Sequence, residues 1–429
     1  MSFSLKDLER RARRQSAERR FRAYGIIALG VAAAMLLTLF FTIFTTGISA
    51  FWRYETAIEF TLDAKTLKID PTASYSEDEY RSAVRKAPYS KVIKNAVYGL
   101  FPDVKKRKQK IRLAKMVSYG AEFLLRDTLM SGDAKVGDKI KLWVPLSDDL
   151  DTFLKGNIDA SLPEKKRRVK DIEMSWLETL ESEGSIRQVF DWGFFVRADS
   201  REPEIAGLGG AIKGSFYLLL VTFMLSVPIG VMAAIYLEEF ARKNKFTDFI
   251  EININNLAAV PSIIFGLLGL AMFLNFLGFP RSAPLVGGMV LSLMTLPTVI
   301  IASRNAIAAV PPTLREAAIG LGASPMQTVL HHVLPVAMPG IITGTILGLA
   351  RALGETAPLI MIGMVAFIAS VPDSIVDPST ALPVQIYLWV DSPERAFVAK
   401  SNAAIMVMLA FLLVMNGTAA YLRYRAENR

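Results

Sequence analysis

The sequence contains no cysteine and only two histidines, His331 and His332. The lack of cysteine excludes disulfide bonds, thiolate metal sites and cysteine nucleophiles. The two histidines are adjacent and would point in different directions on a helix, so no metal site is expected there. No Ser/His/Asp arrangement or catalytic pair of carboxylates is indicated. We therefore expect this chain not to be an enzyme.

Long apolar runs dominate what is present. The chain is 52% hydrophobic with a mean hydropathy of +0.35, and a membrane-spanning helix needs about 20 apolar residues. Six runs meet or approach that length, at 24–50, 214–237, 257–277, 285–302, 340–369 and 403–422. The net charge of +9 is compatible with nucleic-acid binding. However, the basic residues cluster at the ends of apolar runs, as membrane topology requires, so no nucleic-acid partner is expected.

The first run indicates a retained membrane anchor. It exceeds the usual 7–15 apolar residues of a signal peptide and lacks an A-x-A cleavage pattern. A basic leader precedes it, which predicts a cytoplasmic N-terminus. Six spans then return the C-terminus to the cytoplasm, and the basic short loops at 241–245 and 303–305 fall on the same side.

Residues 53–205 differ in character, because charges are interspersed and no run is long enough to span. Alternating stretches at 57–69 and 139–146 predict strands, and 171–184 predicts a helix closed by Gly184. The predicted fold is an all-α polytopic membrane protein of about six transmembrane helices with an inserted α+β extracytoplasmic domain. The predicted domains are 1–52 (leader and first span), 53–205 (extracytoplasmic) and 206–429 (helical core).

The stretch 311–340 predicts two helices joined by a tight turn between the fourth and fifth spans. Thr313 and Glu316 have capping-box spacing, and Gly322 suits a left-handed C-terminal position. Ser324 and Gln327 repeat the start signal, and the second helix is expected to stop at Pro335. A DNA-binding helix-turn-helix is disfavoured, since the second helix offers few side chains for bases or phosphates. The alternative that this stretch is an ordinary loop at the membrane interface stays open.

A charged pair interrupts the predicted span over 340–369. Arg351 and Glu355 lie four positions apart, and a charge at mid-membrane costs about 2.5–3.5 kcal/mol on insertion scales. On a helical wheel the pair shares one side with three glycines, whereas branched aliphatic residues lie opposite and are expected to face lipid. The glycines are Gly340, Gly344 and Gly348, and the aliphatic residues are Ile342, Ile346, Leu349 and Leu353. Two interpretations stay open: a self-neutralising intrahelical ion pair, and a guanidinium that attracts an anion in a transport pathway.

The loop resembles the EAA loop of binding-protein-dependent ABC importers. The matching residues are Arg315, Glu316, Ala317, Ala318, Gly322, Leu334 and Pro335, whereas His332 replaces a usual aliphatic residue. The resemblance implies a coupling helix that docks in a groove of a separate ATPase subunit. ATP and magnesium would be bound by that subunit, and this chain would hold no cofactor.

The string GLARALGETAPL (348–359) is similar to the corresponding helix of phosphate-specific ABC permeases of the PstA type, and AAVPSIIFGLLGL (258–270) resembles another stretch of that family. This resemblance implies transport of inorganic phosphate across the bacterial inner membrane, with Arg351, Glu355 and Thr356 on the pathway. The implied partners are a PstC-type permease, an ATPase dimer, a periplasmic phosphate-binding protein and membrane lipid. Two alternatives are a permease for molybdate or sulfate and a membrane sensor that uses the outer domain.

Overall fold

The computed structural model describes residues 5–70 and 75–427. The chain begins with α1 (Leu5–Gly47), which a short 3₁₀ turn (Ile48–Phe51) extends. The stretch from Ala23 to Trp52 carries no charge and no proline, so nothing in it interrupts a helix. Little of this apolar segment is buried against the rest of the chain, because α1 packs chiefly against one other helix, at the end of the chain.

The inserted domain (residues 53–205) is built on a three-stranded antiparallel sheet of order β2-β1-β3. Ile58 on the central strand pairs with Leu142 on β2, and Glu55 pairs with Arg187 on β3. The apolar core contains Phe60, Val97, Leu125, Leu146 and Leu177. The elements are β1 (Trp52–Thr61), α2 (Ala64–Leu67), α3 (Glu77–Lys86), α4 (Tyr89–Leu100), α5 (Arg107–Ala114), α6 (Gly120–Ser131), β2 (Lys139–Pro145), α7 (Asp148–Leu154), α8 (Asp171–Ser182), β3 (Ile186–Phe190) and α9 (Gly193–Val196).

The predictions for this domain are confirmed in part. The strand near 139–146 is present, and α8 is followed by Gly184 at φ +67°. The strand predicted over 57–69 is wrong beyond Thr61, because Asp63 caps the short helix α2. Strand β3 was not predicted.

The helical core follows the inserted domain. Helix α13 packs between α10 and α16, and α19 packs against α16, α18 and α1. The elements are α10 (Gly209–Ile235), α11 (Lys245–Ala258), α12 (Ser262–Gly269), α13 (Pro284–Ala308), α14 (Pro312–Gly320), α15 (Pro325–Thr328), α16 (Leu334–Gly354), α17 (Ala357–Met361), α18 (Leu382–Val390) and α19 (Ala396–Glu427). π-helical segments extend three of them, at Tyr236–Phe240, Leu270–Phe276 and Val329–Val333.

Five helices in the described part of the chain are long and apolar enough to span a membrane, and a bent pair makes a sixth. The prediction of about six spans with an α+β insert is therefore confirmed. The span predicted over 257–277 corresponds to the second arm of this pair, Ser262–Phe276, which begins later than predicted because the chain bends by 98° between Ala258 and Ser262. Pro261 lies at this bend, where proline disfavours helix in the residue before it. Pro297, by contrast, lies inside the continuous helix α13.

The two ends of the core carry different groups of residues. At one end lie the inserted domain, Lys213 paired with Asp373, and Ser379 bonded to the carbonyl of Ser282. At the other end Arg304 binds Glu251, close to the loop at 311–335. Residues 303–305 were predicted as a loop but belong to the last turns of α13. Segments predicted on opposite sides of the membrane thus lie at opposite ends of the helices.

Candidate functional site

The predicted pathway residues lie at a break in the helix rather than inside it. Helix α16 ends at Gly354, and Glu355 follows in an extended conformation, with φ −77° and ψ 122°. The single helix predicted over 340–369 is therefore wrong. Gly354 and Pro358 explain this. Glycine weakens a helix, and proline has no backbone N–H to donate to the helical hydrogen bonds. Thr356 begins the short helix α17 without a side-chain cap.

Arg351 lies in the last turn of α16, where the helix dipole favours a cation. Its Nε lies 3.6 Å from Oε1 of Glu355, and the Arg351 side chain is 55% exposed. This distance is beyond hydrogen-bonding range. Across residues 5–70 and 75–427, Glu355 is the one ionic partner of Arg351. The guanidinium is thus held close to a carboxylate but keeps most of its donors available.

The three glycines of α16 pack against α13, as the wheel predicts. A Cβ added at Gly340 would lie 2.7 Å from the Cβ of Ala306, and one at Gly348 would lie 2.9 Å from Cγ2 of Thr295. Gly344 faces Ala302 in the same way. The expectation that Leu353 faces lipid is wrong, because its side chain is buried in the core. Leu353 packs in one cluster with Leu359 and Ile362, which come after the break and which a single continuous helix would not bring back against it.

The loop at 311–335 folds as two helices joined by a turn. Gly322 has φ +91°, the left-handed conformation predicted for it. Ser324 and Gln327 form a reciprocal capping box, with bonds of 2.9 and 3.3 Å. The capping box predicted for Thr313 and Glu316 is wrong, since α14 starts after Pro311 without a side-chain cap.

The second helix of the loop does not stop at Pro335. A π-helical segment (Val329–Val333) joins α15 to α16, so one helix runs from Pro325 to Gly354. Pro335 has no backbone N–H to donate. The π segment before it shifts the backbone hydrogen-bond register, so the helix continues through Pro335 although that hydrogen bond is missing. His331 and His332 are exposed in this segment, and no group of three or more potential metal-ligating side chains occurs among the described residues.

Arg315 points into the protein rather than away from it. Its Nη2 lies 2.7 Å from Oε1 of Glu239, in the π segment after α10. The same guanidinium donates to the carbonyls of Ile307 and Val310 at 2.9 and 2.6 Å. Arg304 similarly binds Glu238 and Glu251. Together the two arginines fix the loop and the end of α13 to α10 and α11.

The other matched loop residues divide by exposure. Glu316, Ala317, Gly322 and Pro335 are exposed, Leu334 is half-buried, and Ala318 is buried. The sequence analysis missed an apolar surface beside them: Leu321 is 91% exposed, and Ile319 and Met326 are also exposed. The available signal was a large apolar residue between two glycines, Gly320 and Gly322, in a turn.

Similarity to known proteins covers both halves of the chain. Residues 226–428 match the family described as a binding-protein-dependent transport system inner membrane component. The phosphate transport system permease protein PstA 1 of Mycobacterium tuberculosis is 33% identical over 241 residues, which cover 56% of this chain and 77% of that protein. The chain belongs to the PstA family of ABC transporter permeases. It is therefore a multi-pass subunit of the inner membrane.

Other known proteins match a similar share of this chain. PstA of Haemophilus influenzae is 31% identical over 222 residues, covering 52% of this chain and 77% of that protein. The probable ABC transporter permease YqgI of Bacillus subtilis is 34% identical over 244 residues, covering 53% and 82%. An inward-facing structure of the MetNI methionine ABC transporter matches with a TM-score of 0.42 and 18% identity, covering 51% of this chain and 97% of that chain. Residues 8–164 match a domain of unknown function, DUF3333.

Proposed function

We propose that this PstA-family chain moves inorganic phosphate through the membrane and is driven by a separate ATPase that docks on the loop at 311–335. The observation that carries the proposal is the continuous helix Pro325–Gly354, which has this loop at one end and Arg351 near the other. At about 1.5 Å per residue this helix is about 45 Å long. A displacement of the loop is thereby delivered to Arg351 by one rigid element.

The ATPase-binding surface is the exposed part of the loop. Leu321, Ile319 and Met326 supply the apolar contact, beside the exposed carboxylate of Glu316. Three large apolar side chains exposed close together in one loop are typical of a protein-contact surface. ATP and magnesium bind to the partner, and this chain binds neither of them.

Arg315 and Arg304 spread that movement over several helices. Arg315 links α14 to the end of α10 through Glu239, and Arg304 links α13 to α11 through Glu251. When the ATPase moves the loop, α10, α13 and α16 move with it, and the break at Glu355 alternately opens toward either side.

Phosphate is attracted at this break by Arg351. The guanidinium has free donors for a tetrahedral oxyanion, and Glu355 competes for it, so the anion is bound weakly enough to leave. Thr356, next to Glu355 in the chain, contributes a hydroxyl that forms no capping hydrogen bond with α17. The assembly further contains a PstC-type permease and an extracytoplasmic phosphate-binding protein, and both termini lie in the cytoplasm with the ATPase.

Uptake of labelled phosphate into cells that lack their own high-affinity system tests the proposal, with this chain supplied beside its partner subunits. Glu316→Lys and Leu321→Asp are expected to abolish uptake and co-purification of the ATPase while the chain stays in the membrane. Leu162→Asp is the matched control, since it places the same charge on an exposed leucine of the inserted domain. Retained uptake in both loop variants would refute the coupling role. Inhibition of uptake by molybdate or sulfate would instead identify another oxyanion as the substrate.

A further inference from the structure

An apolar surface lies where the end of α1 meets the inserted domain. We define this surface, the aromatic rim, as Ile48, Trp52, Trp192 and Val196. Trp192 is 73% exposed and Val196 is 70% exposed, and the other two side chains are also open to solvent. Single exposed apolar residues are common, but a cluster with two tryptophans indicates a contact surface.

The rim is held rigidly by ring contacts. The ring of Trp52 lies 5.4 Å from that of Phe190, which lies 4.8 Å from that of Trp192. Behind them, Phe51 stacks on Phe195 at 5.7 Å. This aromatic cluster continues inward to Phe194, Trp389 and Phe397, which pack the inserted domain against α18 and α19. The rim therefore has a fixed position relative to the spans.

The length of α1 gives the level of the rim in the bilayer. The uncharged stretch from Ala23 to Trp52 extends about 45 Å at 1.5 Å per residue. This length matches the roughly 40–45 Å of a bilayer with its headgroups. With Arg22 at one surface, Trp52 reaches the headgroup layer at the other.

A network of buried and half-buried ion pairs lies directly beside the rim, since Asp191 precedes Trp192 and Arg197 follows Val196 in the chain. Asp191 accepts hydrogen bonds from Arg53 at 3.3 Å and from Arg197 at 2.7 Å. Glu55 binds Arg53 and Arg187 in the same network. The three arginines and two carboxylates of this network pair with one another and leave one positive charge in excess. The apolar rim beside them is open to the surroundings.

We propose that the aromatic rim inserts into the lipid headgroup layer on the side of the inserted domain, and that lipid, not another subunit, covers it. The rim continues the apolar surface of α1, most of which is open to the surroundings in this chain. Tryptophan is enriched at membrane interfaces because its indole combines an apolar ring with an N–H donor. The inserted domain thereby lies against the membrane and does not project from it. This inference depends on insertion of α1 and not on the identity of the transported ion.

Spin labelling tests the proposal, because the chain has no native cysteine. Trp192→Cys and Val196→Cys are labelled in the full-length chain, assembled with cysteine-free partner subunits in vesicles of phosphatidylethanolamine and phosphatidylglycerol. Ile111→Cys, an exposed site on α5, is the water control, and Leu413→Cys, exposed on α19, is the lipid control. Collisions of each label with oxygen, which concentrates in lipid, and with a water-soluble nickel chelate are measured.

The proposal requires an oxygen-to-nickel collision ratio at 192 and 196 severalfold above that at 111 and approaching that at 413. A ratio equal to that at 111 would place the rim in water and overturn it. Immobile labels shielded from both reagents would show that a protein covers the rim, which also overturns it. As a second measurement, brominated lipids should quench the fluorescence of the wild type more than that of Trp192→Phe.

Discussion

An arginine–glutamate pair lies close to each end of the helix Pro325–Gly354, and the two pairs differ in burial and in the distance between their charged groups. Arg315, 22% exposed, binds the nearly buried Glu239 at 2.7 Å and also donates to two carbonyls. Arg351 is more than half exposed, and the nearest oxygen of Glu355 is 3.6 Å away. The first guanidinium has its donors occupied, whereas the second keeps them free. The difference indicates that one pair maintains a joint between helices and the other is available to a mobile anion.

Their energetic roles should differ accordingly. Removing one partner of a desolvated ion pair leaves an uncompensated charge, which costs about 3–5 kcal/mol for a buried pair. An exposed pair at a loose distance contributes about 0–1 kcal/mol. The same Arg→Gln change should therefore act on stability and coupling at one site and on transport alone at the other.

Arg315→Gln is expected to have the largest effect. It leaves Glu239 without its cation and frees α14 from α10, at a cost of about 3 kcal/mol. If this free energy is lost from coupling, phosphate uptake falls about a hundredfold. Uptake is measured at equal membrane abundance, together with the ATPase activity of the purified complex, which should persist without driving transport.

Arg304→Gln is the matched control for this change. Its two carboxylate partners, Glu238 and Glu251, are each about a third exposed, so water replaces part of the lost interaction. The loss of uptake should be clearly smaller than in Arg315→Gln. Equal losses in both variants would mean that the two arginines contribute equally and that the Arg315 pair has no special role.

Arg351→Gln is expected to have the next largest effect. A hydrogen bond to a charged group contributes about 1.5–3 kcal/mol, so uptake at low phosphate should fall at least about tenfold. The midpoint of thermal unfolding in detergent should stay unchanged, because the side chain is exposed. Arg351→Lys, which keeps the charge but not the planar donors, should lie between the two. A lowered unfolding midpoint with normal uptake would assign the pair a structural role instead.

Local signals predicted much of this architecture. Long apolar runs located the spans, and Gly322 with Ser324 and Gln327 predicted the turn and second helix of the loop. These features depend on residues close in sequence. The packing of α16 through its glycines was also predictable, since helical periodicity places Gly340, Gly344 and Gly348 on one side of the helix.

Features that depend on distant residues could not be predicted. Glu239 lies 76 positions before Arg315, so no spacing rule indicates that they meet, and Arg315 was interpreted only as part of the docking loop. The end of α16 at Gly354 was missed because hydropathy continues across it. In a membrane, packing and internal hydrogen bonds rather than apolar content decide where a helix breaks.

A third glutamate, Glu204, extends the comparison, because in the described part of the chain no salt bridge joins it to an arginine. Glu204 is buried where the inserted domain meets α19, beside Lys400 in a cavity of about 400 Å³, and its Oε2 has no hydrogen-bond partner. Burial raises the pKa of Glu204 to about 7, and the nearby carboxylates of Glu202 and Asp148 add to the effect. Between about pH 4.5 and 7 the folded protein therefore binds more protons here than the unfolded chain does, so stability falls as pH rises through this window.

Glu204→Gln should remove this part of the pH dependence and leave uptake at neutral pH unchanged. The variant and wild type should be similarly stable at pH 5, whereas at pH 8 the variant should be more stable by up to about 3 kcal/mol. Burial also raises the pKa of Asp148, to about 6, so a smaller slope of the same sign should persist in Glu204→Gln and decrease further when Asp148→Asn is added. Denaturant unfolding of the purified chain at both pH values measures this. An unchanged slope in Glu204→Gln would mean that Lys400 keeps the carboxylate ionised, so that a cation compensates Glu204 after all, as it does Glu239.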